Sequence, residues 1–140
     1  QRSGAASTAW ATVTQFNTTS SLPISLRFND SSGNPASVSS ASYTLLTSFV
    51  YRGTVLDNVV GSVLAIVSTS AAATGQIRIV DRTSTLVICQ SAVFGPSVSV
   101  STINMGAISN LPAVQTIFEV QMKKTGGGGT VNLSSLQMYG

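Results

Sequence analysis

The side chains that carry most enzyme chemistry are scarce in this sequence. It contains no histidine, one cysteine and four side-chain carboxylates, which belong to Asp30, Asp57, Asp81 and Glu119. General acid–base catalysis near neutral pH usually recruits histidine or two carboxylates with separated pKa values. Asp30 and Asp81 lie in turn-like segments, where an aspartate ordinarily bonds its local backbone. Two distant carboxylates can meet in space as a glycosidase pair, but no motif supports that alternative.

Nucleophilic and metal chemistry also lack their usual residues. A Ser–His–Asp arrangement needs histidine, and a Ser–Lys pair needs a dry lysine, whereas Lys123 and Lys124 are adjacent and precede a glycine run. Cys89 lies among apolar residues, which predicts a small buried side chain. Calcium needs clustered oxygens, which Asp30 and Asp81 supply only singly. We therefore predict no enzyme activity, no catalytic residue, no metal and no cofactor.

Charge is low and scattered along the chain. Charged residues make up 8% of the 140 residues, against roughly a quarter in an ordinary soluble domain, while Ser and Thr exceed a quarter. The net charge is +3, but the seven cations form no stripe of the kind that binds nucleic acid. The pairs Arg78 with Arg82 and Lys123 with Lys124 are interpreted as solvated strand ends. A weak phosphate or sulfated-glycan contact by one pair is the alternative.

Alternation of apolar and polar residues predicts several β-strands. Leu22–Phe28 has its apolar residues at every second position, and Thr116–Lys123 likewise has one apolar and one polar face. Tyr43–Tyr51 has apolar residues at both parities, which predicts a strand buried on both faces. Val63–Val67 is short, apolar and β-branched, so it predicts a central strand.

Turn signals separate these strands from further ones. Asp81–Ser84 joins two strand-like runs as a β-hairpin, and Gly126–Gly129 predicts a second hairpin turn. A bulge is expected near Ser134 and Ser135 in the last strand. The remaining strand-like segments are Trp10–Phe16, Gln76–Val80, Leu86–Cys89, Val98–Val100 and Thr130–Tyr139.

The predicted fold class is an all-β antiparallel sandwich of about eight to ten strands. No convincing amphipathic helix is present, and no apolar run reaches the roughly 18 residues that indicate a membrane-spanning helix. A jelly roll is favoured over an immunoglobulin-like sandwich, which usually has fewer strands and about 100 residues. We expect one domain over residues 1–140, with residues 1–8 as a flexible lead-in from an upstream stalk.

The late strand Ile117–Met122, the glycine turn and the final strand ending at Tyr139–Gly140 resemble the trimeric head domains of the complement C1q and tumour-necrosis-factor superfamily. The hydroxyl-rich strands are similar in particular to head domains that end collagen-like and fibre proteins of bacteria and large DNA viruses. The resemblance covers Tyr43–Tyr139 and lies in the pattern of strands and turns. It implies a ten-stranded jelly roll that forms a homotrimer, with the C-terminal strand close to the threefold axis.

Low charge independently favours self-association, because weakly charged surfaces repel each other little and a defined assembly covers their apolar patches and strand edges. A thick single-domain core without an oligomer is the alternative. We expect a non-enzymatic structural or attachment module, a homotrimeric head or capsid-type domain at an extracellular, virion or spore surface. Its partners would be a glycan or protein receptor, with no nucleic acid and no membrane insertion. Candidate loop contact residues are Asp30, Asn34 and Arg82; the alternative function is a carbohydrate-binding module or lectin.

Overall fold

The computed structural model of the chain describes residues 22–56 and 59–140. These residues form β-strands and no helix, which confirms the predicted all-β class. The predicted strand from Trp10 to Phe16, the lead-in at residues 1–8 and Asp57 lie outside the described residues. The strands are β1 Ile24–Arg27, β2 Ala36–Val38, β3 Thr44–Tyr51, β4 Ser62–Thr69, β5 Thr74–Asp81, β6 Val87–Gln90, β7 Ser101–Asn104, β8 Thr116–Gly126 and β9 Val131–Tyr139.

The strands form two antiparallel sheets that pack together as a sandwich. Sheet I has the order β1, β9, β4, β7, and β2 also pairs with β9. Sheet II has the order β3, β8, β5, β6. Four sets of pairs are nested along the chain, since β1 and β2 pair with β9, β3 with β8, β4 with β7 and β5 with β6. The last strand is therefore held inside sheet I, between β1 and β2 on one side and β4 on the other.

The core lies between the inner faces of the two sheets. Phe118 of β8 is fully buried, and its ring stacks on Tyr51 with centroids 4.8 Å apart and meets Phe49 edge-on at 5.8 Å. The alternating residues of β8 enter this core as predicted, because Val120 and Met122 are also fully buried. The alternation predicted around β1 is confirmed too, with its apolar side chains buried or half-buried.

Strand β3 differs from its predicted burial. A bulge lies between Leu45 and Thr47, where the register against β8 shifts. An extra residue in one strand reverses the alternation beyond it, so residues that share a parity in the sequence point to opposite sides. Phe49 and Tyr51 face the core, whereas Leu45 and Val50 are each 51% exposed. The prediction that this strand is buried on both faces is wrong.

The segment at Val98 and Val100 is the second difference. These two residues precede β7, which begins at Ser101, and they are 76% and 66% exposed. The backbone just before them is held in a loop, because Ser97 accepts the N–H of Thr69 through its carbonyl and donates its own N–H to the Thr69 hydroxyl. Three predicted features are confirmed, namely the central position of β4, the β5–β6 hairpin and the bulge between Leu133 and Ser135.

Candidate functional site

The two sheets turn different kinds of surface outward. The strand registers place thirteen side chains of sheet I on its outward face, here called face I. They are Ser25, Arg27, Ser37, Ser62, Leu64, Ile66, Ser68, Thr102, Asn104, Asn132, Ser135, Gln137 and Tyr139. The outward face of sheet II, face II, includes Tyr43, Leu45, Ser48, Val50, Gln76, Arg78, Val80, Ile117, Glu119, Gln121 and Lys123.

Charge is divided unequally between the two faces. Among its described residues, face I carries one charged side chain, Arg27. Face II carries Arg78, Lys123 and Glu119, and Arg82 at its end binds Glu119 with Nε 2.8 Å from Oε2. Glu119 of β8 is thus paired with a cation that follows the neighbouring strand β5. Because removing ionic groups from water is costly, face I is the side that another surface can cover at the lower cost.

Several polar groups of face I are bonded to each other. The Asn132 amide donates to the Ser68 hydroxyl at 3.2 Å, and its carbonyl oxygen accepts from the hydroxyls of Ser37 at 2.7 Å and Thr130 at 3.2 Å. At the other end of β9 the Tyr139 hydroxyl donates to the side-chain carbonyl of Gln137. Satisfied polar groups lose little when water is excluded, whereas an unpaired buried group costs about 1–3 kcal/mol.

Face I also has an apolar centre beside a depression. Leu64 and Ile66 point outward from β4, and Ile66 is 36% exposed. The β9 bulge at Ser134 widens the surface next to Ile66 into an open depression of about 360 Å³. It is lined by Ser25, Leu26, Arg27, Asn29, Ile66, Ser134, Ser135 and Gln137. A projecting aliphatic side chain next to a shallow recess is a shape that another protein surface can complement.

The predicted loop contact residues are divided between the sheets. The Asp30 carboxylate accepts the backbone N–H groups of Asn34 and Ser32, each at 2.9 Å, so Asp30 and Asn34 lie together in the exposed loop between β1 and β2. The pKa of the Asp30 carboxyl is lowered, chiefly by the hydrogen bond that it accepts from the Asn34 N–H. Arg82 follows β5 in sheet II and is bound to Glu119. The structure does not bring Arg82 into contact with the other two residues.

Asp81 is a buried carboxylate that organises the β5–β6 turn. Its side chain accepts from the Thr116 hydroxyl at 2.9 Å and from the N–H groups of Thr83 at 2.9 Å and Ser84 at 3.4 Å. Burial alone raises the pKa of Asp81, but these hydrogen bonds outweigh it and the pKa is lowered. The prediction that Asp81 bonds its local backbone is confirmed, and the residue acts as a structural anion.

We expect the stability of the chain to depend on the ionisation of Asp81. Its folded pKa is depressed, so its contribution is fully present above the unfolded value of about 3.9 and is lost as the pH falls through the folded value. Asp81→Asn should lower the free energy of unfolding at pH 7 by about 1–3 kcal/mol. The free energy of unfolding of this variant should also fall less steeply than that of the original chain as the pH drops below 4. Urea unfolding between pH 7 and pH 2.5 measures both effects. Equal acid dependence in Asp81→Asn and the original chain would contradict the assignment.

The remaining reactive group that the sequence analysis singled out is the thiol of Cys89. Cys89 is buried as predicted, and this burial raises the pKa of its thiol to about 12, so the thiol stays protonated at neutral pH. The described residues contain no group of three or more His, Cys, Asp or Glu side chains placed to hold a metal ion. They also contain no helix that is long and apolar enough to cross a membrane.

Sequence reasoning missed two groups of residues. One is Leu64 with Ile66 on face I, and the other is Tyr43 with Arg78 and Lys123, which lie over its ring on face II. The alternation in β8 was enough to predict that Glu119, Gln121 and Lys123 point outward. Which residues of other strands lie beside them depends on the strand register, which the sequence does not show. Searches for similar proteins find no matching family model, no matching curated protein and no matching solved structure. The geometry and charge of the two outer faces are therefore the guide to function.

Proposed function

We propose that the chain is a non-enzymatic structural and attachment module that forms a homotrimer through face I. The observation that carries this proposal is the unequal division of charge, with one cation on face I and an ionic network on face II. Such a module would act at an extracellular, virion or spore surface. Its loops, with Asp30, Asn34 and Arg82 as candidate residues, would then contact a glycan or protein receptor.

The nested strand pairing supports a jelly-roll topology within the sandwich. A jelly roll is built from two Greek keys, in which a long antiparallel ribbon wraps so that its halves contribute to both sheets. The pairs of β1 and β2 with β9, β3 with β8, β4 with β7 and β5 with β6 follow that plan. The resemblance to C1q-like and tumour-necrosis-factor-like heads implies the same plan, and a C-terminal strand close to the threefold axis.

Face I has the surface chemistry that a symmetric contact needs. Its final strand β9 lies inside the sheet, and the outward residues of this strand are neutral amides, hydroxyls and a tyrosine. Interface centres are depleted in charge and carry apolar or aromatic side chains, which Leu64, Ile66 and Tyr139 supply here. Arg27 is exposed on β1, toward the edge of the sheet, where a charge can stay solvated at an interface rim.

A charge placed at the centre of face I should prevent assembly. Ile66 and Ile117 form a matched pair, because they are 36% and 37% exposed and point outward from opposite sheets. Ile66→Lys buries an unpaired ammonium in the proposed contact, whereas Ile117→Lys adds the same charge to face II. We expect the original chain and Ile117→Lys to have three times the 14.4 kDa chain mass, and Ile66→Lys to have the mass of one chain.

Light scattering coupled to size-exclusion chromatography measures these masses over a range of concentrations. A thermal melt of each variant checks that the fold is kept, since both substitutions are at partly exposed positions. A strictly monomeric original chain at high concentration would overturn the proposal. Loss of the trimer in Ile117→Lys with retention in Ile66→Lys would move the contact to face II and overturn the assignment to face I.

A further inference from the structure

Two cations converge on one aromatic ring on face II, near the end of the sheet where β3 begins. The Arg78 guanidinium carbon lies 3.8 Å from the centroid of the Tyr43 ring, and the Lys123 ammonium lies 4.7 Å from the same centroid. Each distance is within the range of a cation–π interaction. The three residues come from β5, β8 and the segment just before β3, so the cluster is built by the register of sheet II.

Within residues 22–56 and 59–140, no carboxylate is paired with the positive charge of this cluster. Arg78 donates from Nε to the neutral carbonyl oxygen of Gln121 at 2.8 Å, and Lys123 forms no ion pair among the described residues. The nearby carboxylate of Glu119 is occupied by Arg82 at 2.8 Å and by the Gln121 amide at 3.1 Å. The remaining N–H donors of Arg78 and the ammonium of Lys123 are therefore available to an anion.

The cluster is partly shielded from water and held in place. Tyr43, Arg78 and Lys123 are all half-buried, and the hydroxyl oxygen of Tyr43 is buried without a hydrogen-bond partner among the described residues. Partial burial of two like charges is unfavourable, and an anion between them would offset that cost. The contacts with the ring and with Gln121 hold the guanidinium in one orientation, which reduces the ordering cost of binding.

The surroundings of the cluster fit a hydroxyl-rich chain of sugars better than they fit a nucleic acid. The next positions on face II are Gln76 and the aliphatic Leu45, which is 51% exposed and presents an apolar surface to the carbon side of a sugar ring. Tight nucleic-acid binding neutralises about six to ten phosphates, whereas this cluster has two uncompensated cations. An amide and an aliphatic side chain beside two cations suit a sugar chain that carries anionic groups among its hydroxyls.

We propose that Tyr43, Arg78 and Lys123 form a binding site for the sulfate or carboxylate groups of an acidic polysaccharide. Arg78 binds the anionic group through its terminal N–H donors, since guanidinium geometry matches a sulfate or carboxylate in a bidentate arrangement. Lys123 adds a second charge, and Leu45 contacts the sugar ring. The site lies on the sheet opposite to the proposed self-association face, so it does not depend on the oligomeric state.

Binding of short oligosaccharides to the whole chain tests this site. The probes are a sulfated heparin fragment, a carboxylated polygalacturonate fragment and a short DNA duplex, each measured by isothermal titration calorimetry. We expect the double variant Arg78→Gln with Lys123→Gln to bind the preferred acidic oligosaccharide at least about tenfold more weakly than the original chain. Preference for the polygalacturonate fragment identifies the anionic group as carboxylate, and preference for the heparin fragment, which carries both groups, shows that sulfate adds affinity.

Lys124→Gln is the control for the Lys123 substitution, because it removes one lysine charge from the next residue, whose ammonium donates to the Gly129 carbonyl at 3.2 Å. This control should change the affinity less than about twofold. An equal loss in Lys124→Gln, or no loss in the double variant, would overturn the site. DNA binding as tight as that of both oligosaccharides would overturn the polysaccharide assignment. Ile66→Lys should bind as the original chain does, which separates failure of this site from failure of self-association.

Discussion

Phe118→Ala is expected to lower the free energy of unfolding by about 3–5 kcal/mol. Phe118 is fully buried at the centre of sheet II, where its ring stacks on Tyr51 and meets Phe49 edge-on. Truncation to alanine removes the favourable free energy of burying the ring. It also leaves a cavity beside the two aromatic neighbours, which their places in the strand keep from filling it. Because native stabilities are typically 5–15 kcal/mol, this loss is a large part of the total.

Ile117→Ala is the control for this substitution. Ile117 is the adjacent residue of β8, points to face II and is 37% exposed, so its truncation should cost less than about 1 kcal/mol. Denaturant unfolding with both variants and the original chain measures the difference. Equal losses in the two variants would show that the inward and outward positions of β8 are assigned incorrectly.

Gly127→Ala is expected to destabilise the chain by at least about 2 kcal/mol, through strain in the turn between β8 and β9. Gly127 has φ of +74°, a conformation that side chains rarely adopt. A Cβ atom there would also collide with the carbonyl group of Ala72 and come within 3.1 Å of the Ala73 Cα. Ala72 and Ala73 belong to the turn between β4 and β5, which meets the β8–β9 turn at this end of the sandwich. Neither turn can move away without disturbing the strands that it joins.

Gly128→Ala separates this strain from a general effect of glycine replacement. Gly128 is the next residue of the same turn, its φ is not positive, and a Cβ atom there would meet no atom within 4 Å. Reducing the freedom of the unfolded chain should make this variant neutral or more stable by up to about 1 kcal/mol. Thermal unfolding of both variants tests the contrast; a similar melting temperature for the two would contradict the turn conformation.

Local alternation was enough to predict the strands that have one clean apolar face. The inward residues of β8 and the half-buried residues of β1 occupy every second position in the sequence, and the structure places them at the core. The glycine turn and the β5–β6 hairpin were predicted for a related reason, since turn residues act through their own backbone conformation. Each of these features depends on interactions over a few residues.

Features that depend on distant pairing were not predictable in the same way. The bulge after Leu45 reverses the sides of β3 residues, and it becomes visible only in the register against β8. The exposed Val98 and Val100 alternate as strand residues do, but β7 begins only at Ser101. Its pairing with β4 includes Ile103 opposite Ala65. Composition and parity contain no information on which partner strand lies alongside, so they could not place these segments.

The division of charge between the faces illustrates the same limit. Low overall charge predicted an assembling surface, but it could not say that Arg78, Lys123 and Glu119 share one sheet and leave the other nearly neutral. Arg78 and Lys123 are 45 positions apart and meet Tyr43 only because β5 and β8 are neighbours. The sequence pairs that looked suggestive, Arg78 with Arg82 and Lys123 with Lys124, are not the pair that the fold brings to one ring.

The position of β9 has a consequence for how the chain reaches its native state. Among the described strands β9 is synthesised last, yet it lies inside sheet I, where β1 and β2 flank one side and β4 the other. Sheet I therefore cannot form completely on the ribosome before β9 emerges, and its earlier strands must wait with unpaired edges. Pairing between strands that are far apart in the sequence gives a high contact order, so folding should be slow and most vulnerable to aggregation during synthesis.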